Sequence, residues 1–302
     1  MLETQWSRGN FVCVGLDSEF GKIPESTHKS GHRSGNHHIA VSVANTIVAF
    51  NRAIVEATKD LVCAYKPNIA FYEAHGDEGL NALHRTIVDI HAIAPDVPVI
   101  LDAKRADIGN TNAGYVEAAF DFLGADAITV HPYLGAEALQ PFLDCKDKGI
   151  IVLCRTSNPG AGEFQDLHTL PLDPRARPEG MTAEAWLEEL CEDSMRLYER
   201  VALNVATKWN KNSNCLLVVG ATYPVEAERV RVKVGDVPFL IPGIGAQGGD
   251  VEATVMASQD SRGWGMIINS SRGIIFASEG ADFAEAARRE TEKLRDIINQ
   301  YR

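Results

Sequence analysis

Short apolar runs rich in β-branched residues recur along the chain, each bounded by polar, glycine or proline residues. They are FVCVGLD (11–17), LVCAYKP (61–67), VPVILDA (97–103), AITVHP (127–132), GIIVLCR (149–155), CLLVVGA (215–221), FLIPGIG (239–245) and GMIINSS (265–271). Each is too short for a buried helix and reads as a strand apolar on both faces. Between them, apolar residues fall at three- and four-residue spacing over 38–58, 77–94, 111–123, 135–143, 182–209, 224–232, 249–257 and 282–299, as in Ile39, Val43, Ile47 and Phe50. That spacing lines one face of a helix. Continuously apolar strands alternating with helices call for a parallel sheet covered by helices, and eight such units close as a (β/α)8 TIM barrel. Residues 1–302 are therefore expected to form a single α/β domain. A doubly wound open sheet is the alternative, but the first strand is not followed by GxGxxG.

Two segments break the alternation. Residues 18–37 are polar and rich in Gly and Ser, and residues 158–181 carry four prolines among few apolar residues. Both fall after strands, 1 and 5 respectively, so they are insertions on the face where barrel enzymes hold their active sites. The first contains His28, His32 and His37, with His38 immediately after it. No carboxylate or cysteine accompanies them at ligand spacing, so a solvated loop is expected there and no metal site.

Composition narrows the function. A formal charge of −12 disfavours nucleic acid or an anionic membrane as partner, while leaving room for a local basic pocket that holds a small anion. The six cysteines show no CxxC pair and lie mostly in apolar runs, as reduced core thiols do. The opening MLETQWSRGN has no basic-then-apolar leader pattern, and no long apolar stretch occurs, so a cytoplasmic chain is expected.

The chemistry concentrates at the expected strand ends. Strand 1 ends in Asp17, strand 2 in Lys66, and strand 3 in Asp102 and Lys104, which share a face if the strand stays extended. Asp107 lies just beyond, and Thr111 one helical turn further on. Alternating charges at one mouth make either a structural ion-pair network or a catalytic cluster. Strand 4 ends in His131, read as a wall residue beside Pro132, and strand 5 in Arg155-Thr156-Ser157-Asn158, with Ser157 as a hydrogen-bonding candidate. After strand 7, Gly243, Gly245, Gly248 and Gly249 would let backbone N–H groups approach a ligand, and after strand 8 Arg272 offers a bidentate donor. Barrels often bind phosphate at this pair of loops.

These residues resemble the orotidine 5′-phosphate decarboxylase family, and the length and insertions resemble its longer bacterial branch. The carriers are GLD (15–17), Lys66, DAKRADIGNT (102–111), TSNPG (156–160), PGIGAQGGD (242–250) and SSRG (270–273). The resemblance implies conversion of orotidine 5′-monophosphate to UMP in pyrimidine biosynthesis, with no metal or organic cofactor. It implies catalytic roles for Lys66, Asp102, Lys104 and Asp107, with Lys104 protonating C6. Substrate contacts would come from Asp17 on the ribose, Ser157 on the pyrimidine, and Pro242, Gly245, Gln247 and Arg272 around the phosphate. Asp107, Ile108 and Thr111 would cross into the neighbour's site of a homodimer. Two other readings remain open on residues alone: a Mg²⁺-dependent sugar-phosphate decarboxylase or aldolase on a similar barrel, which Lys66 opposes, and a barrel that only binds nucleotides.

Overall fold

The computed structural model describes residues 1–28, 41–170, 177–192, 194–244 and 249–302. All eight expected strands form: β1 (Val12–Gly15), β2 (Val62–Lys66), β3 (Ile100–Arg105), β4 (Ala127–Val130), β5 (Gly149–Arg155), β6 (Cys215–Val219), β7 (Phe239–Pro242) and β8 (Met266–Ser270). They pair in parallel in the order β2-β1-β8-β7-β6-β5-β4-β3, and the bridges Tyr65↔Val99 and Asn68↔Asp102 join β2 to β3. The sheet is thus a closed barrel. Every residue of β1, β2, β4, β6 and β8 is buried, as expected for strands packed inside against one another and outside against helices. Among the helices, Val43–Thr58 and Phe283–Tyr301 turn their apolar stripes onto the barrel, where Phe50 stacks between Phe276 and Phe283.

Most expected helices appear within a few residues of their predicted limits. One does not. The segment 182–209 breaks into Ala183–Glu192 and Leu197–Asn204, followed by a π-helical turn, because Met195–Arg196 pairs antiparallel with His168–Thr169. The restart is capped: the Arg196 backbone N–H donates to the Glu199 carboxylate at 2.9 Å. Apolar periodicity continued across the gap because each helix buries its own stripe, Trp186 and Leu190 in the first and Tyr198 and Ala202 in the second. The insertion after β5 therefore has its own small ribbon and helix, with Trp186 and Leu190 buried beneath.

Cys13, Cys63, Cys154 and Cys215 are buried as expected, whereas Cys145 is half-buried and Cys191 exposed. Among the described residues no helix is long and apolar enough to cross a membrane.

Candidate active site

The C-terminal ends of the strands open into a cavity of about 500 Å³. Asp17, Lys66, Asp102 and Lys104 line one side, Ser157 lies under the insertion after β5, and Pro242, Gly243 and Arg272 line the far side. The four charges that the sequence placed at separate strand ends thus meet. Lys66 Nζ donates to Asp102 Oδ2 at 2.9 Å, and Lys104 Nζ to Asp102 Oδ1 at 2.6 Å. Asp102 is 8% exposed and Lys66 3%. Burial opposes ionisation of Asp102, yet Lys66 and Lys104 outweigh it and hold the carboxyl well below the usual carboxylate range. Burial likewise works against the Lys66 ammonium, but Asp102 and Asp17 hold its pKa above that of a free lysine. Neither charge would be tolerated there alone. Burial pushes the neighbouring Cys13 thiol up to about 12 despite Lys66, so it stays neutral.

The backbone fixes this arrangement. The N–H of Asp102 donates to Pro67 O at 3.0 Å and that of Ile69 to Asp102 O at 3.2 Å, tying the ends of β2 and β3 together. The expectation that Asp102 and Lys104 share a face by simple strand alternation needs correction. Pairing of β3 with β4 passes from Leu101↔Ile128 directly to Arg105↔Val130, and Lys104 adopts φ +47°. The end of β3 is a bulge, and it is the bulge that brings both side chains to the cavity.

On the far side, Arg272 is exposed and makes no side-chain hydrogen bond or ion pair with the described residues. Gly243 has φ +106°, and Gly249 N donates to Gly243 O at 3.2 Å; a Cβ on Gly249 would sit 2.9 Å from that oxygen. Glycine is required for this close return of the loop. Gly245 and Gln247 lie outside the described residues. Deep in the cavity, Asp17 Oδ1 and Asn269 Oδ1 are buried with no hydrogen-bond partner among the described residues.

Asp107, Ile108 and Thr111 do not line this cavity. Asp107 and Ile108 lead into the next helix, Gly109–Val116, and Thr111 lies in its first turn; Asp107 Oδ1 accepts from the Ile108 N–H at 2.7 Å and Ile108 is 57% exposed. His131 also stands outside the cavity, its backbone N–H donating to Arg105 O. Of the loop histidines, His28 stacks on Phe20, and His32, His37 and His38 fall outside the described residues.

Thr156 and Asn158 line the cavity with Ser157, as the strand 5 end was expected to, whereas Asn68, Thr129, Gln165 and Asn269 escaped the sequence reading. Gln165 Oε1 accepts from the Thr156 N–H at 2.9 Å, and buried Arg155, stacked 3.8 Å over the Tyr223 ring, reaches both Gln165 and Asp166. This latch holds the Thr156–Ser157 turn. Its only sequence signal was polarity inside an otherwise loop-like insertion.

The model of the "Orotidine 5′-phosphate decarboxylase / HUMPS family" matches residues 12–289. An orotidine 5′-phosphate decarboxylase of Azoarcus sp. strain BH72 is 45% identical over 302 residues, covering 100% of this chain and 98% of its own. The solved OMP decarboxylase of Leishmania donovani superposes with a TM-score of 0.74 at 35% identity, over 99% of this chain and 97% of that one. A Leishmania donovani UMP synthase gives a TM-score of 0.77 at 37% identity over all of this chain, which spans 55% of that longer protein. A closed barrel with a lysine–aspartate–lysine chain at one side of its mouth and an arginine at the other is matched along nearly its whole length, and the chain belongs to the orotidine 5′-phosphate decarboxylase / HUMPS family.

Proposed function

We infer that this chain is a decarboxylase converting orotidine 5′-monophosphate (OMP) to UMP, and that residues 1–302 act as one barrel domain in the cytoplasm. The observation that carries this reading is the buried Lys66–Asp102–Lys104 chain, with Lys104 half-exposed toward the cavity and Asp102 clamped between two ammonium groups. Loss of CO₂ from OMP leaves an electron pair at C6 with no ring or cofactor sink. The site must therefore stabilise the growing carbanion electrostatically. The Lys104 ammonium supplies a fixed positive charge and then the proton that forms the C6–H bond of UMP.

The unpartnered oxygens of Asp17 and Asn269 are acceptors that two ribose hydroxyls would satisfy. Arg272 and the backbone around Pro242 and Gly243 would take the phosphate, with Gly245 and Gln247 continuing that loop. Ser157, held by the Arg155–Gln165 latch, would read the pyrimidine edge. Contacts this far from C6 supply binding energy that is used in the transition state.

The active form on this reading is a homodimer with shared sites. Asp107, Ile108 and Thr111 do not line their own cavity, and Ile108 (57% exposed) accompanies Tyr133 (87%) and Leu134 on the exposed ends of neighbouring β3 and β4 units. Apolar exposure beside a catalytic mouth favours coverage by a second copy. Purified protein incubated with OMP should release UMP and CO₂ at a rate unchanged by EDTA. Absence of turnover sinks the reading, and loss of turnover with EDTA favours a Mg²⁺-dependent reaction instead.

A further inference from the structure

The bulge that brings Asp102 and Lys104 to the cavity sets three residues of β3, Asp102, Ala103 and Lys104, against a single residue of β4, Thr129. Thr129 is 1% exposed, and its hydroxyl is used in full. It accepts from the Ala103 N–H at 3.0 Å and the Lys104 N–H at 2.9 Å, and it donates to Asp102 Oδ1 at 2.9 Å. One donor and two lone pairs are all that a hydroxyl has.

Each bond bears on the reacting groups. Lys104 sits at φ +47°, where a residue with a Cβ does not rest unless its surroundings impose it. The N–H groups of Ala103 and Lys104, which lead into that kink, would lose their partner if Thr129 did not accept from them. The bond to Asp102 falls on the same oxygen that the Lys104 ammonium holds at 2.6 Å, so the Asp102 carboxylate is turned to present Oδ1 to Lys104 and Oδ2 to Lys66. An isosteric apolar residue would fill the space and make none of these bonds.

We propose that Thr129 is a positioning residue for decarboxylation: its hydroxyl pins the β3 bulge and orients the Asp102 carboxylate, and so aims the Lys104 ammonium at C6. The inference rests on the decarboxylase reading. It separates turnover from affinity, because Thr129 acts on the proton donor while phosphate and ribose contacts lie elsewhere in the cavity.

The test compares the parent enzyme with Thr129→Val, Thr129→Ala and Thr129→Ser, using OMP turnover, UMP affinity by calorimetry, and thermal melting to confirm folding. In the Val variant kcat should fall about a hundredfold, the cost of misaiming a general acid, while KM for OMP and Kd for UMP stay within about threefold. The Ser variant, which keeps the hydroxyl, should recover most of the lost turnover. If the Val variant fails to fold, Ala carries the same comparison, since it leaves space without burying a new group. A folded Val or Ala variant whose kcat stays within about threefold of the parent overturns the inference and leaves the decarboxylase reading intact. Equal losses in kcat and UMP affinity also overturn it, since they mark a general collapse of the cavity. A parent that does not turn over OMP removes the decarboxylase reading, and the inference with it.

Discussion

The two sides of the cavity are built on opposite plans. At the ends of β2, β3 and β4, the charged and polar groups bond to one another: Lys66 and Lys104 to Asp102, and Thr129 to Asp102 and to the backbone of β3. At the ends of β7 and β8, Arg272 reaches into the cavity with no side-chain partner among the described residues. The first side is wired before substrate arrives, as a site must be if its charges are to stabilise a transient carbanion without reorganising. The second side is left open because its counter-charge comes with the ligand, and a guanidinium already paired to a carboxylate would bind phosphate weakly. A single cavity thus holds a preorganised half for chemistry and an unsatisfied half for capture.

That contrast can be broken most severely at Lys104. Lys104→Ala should lower turnover by at least about a thousandfold, combining lost charge stabilisation with lost proton donation, while UMP still binds within about tenfold of the parent. Turnover within tenfold of the parent would take Lys104 out of the proton-donor role.

Asp107 extends the comparison to the partner. Mixing inactive Lys104→Ala and Asp107→Ala proteins, once subunit exchange is verified by tag pull-down, should restore about a quarter of parental activity, since half the dimers are mixed and each holds one intact site. Exchanged dimers that stay inactive would mean that Asp107 serves its own barrel.

Arg272→Ala tests the open side. It should raise KM by roughly ten- to a hundredfold, the worth of a charge-assisted phosphate contact, with a smaller change in kcat. Unaltered kinetics would place the phosphate elsewhere.

The smallest effect concerns stability against pH. The Asp102 pKa is depressed in the folded protein, so its contribution is complete above its unfolded value of about 4 and is lost as pH falls through the folded one. Lys66 is the converse, its contribution complete below about pH 10 and lost as pH rises further. Asp102→Asn should therefore be less stable than the parent at pH 7, and the gap should shrink by on the order of 1–2 kcal/mol as pH is lowered through the acid range. A gap independent of pH in denaturant titrations would show that the Asp102 charge does not stabilise the fold.

The barrel itself was legible because its signals are local. Strands such as CLLVVGA are apolar at every position, helices such as Val43–Thr58 repeat every three to four residues, and both patterns survive in a single sequence without reference to neighbours. The break in 182–209 was hidden for the complementary reason. It depends on Met195–Arg196 pairing with His168–Thr169, a contact 26 residues away, while the apolar spacing of the two flanking helices runs on undisturbed.

The same division runs through the site. The sequence by itself determined which charges stand at the strand ends, since Asp17, Lys66, Asp102 and Lys104 each close an apolar run, and the barrel topology brings such ends to one mouth. Only the tertiary structure decided that Lys104 occupies a kinked rather than an extended backbone, that Thr129 in the unremarkable run AITV faces the bulge, and that Asn269 and Gln165 enter the cavity. Strand alternation tells which face a side chain takes, but the register between β3 and β4, and with it the bulge, is set by pairing of segments more than twenty residues apart.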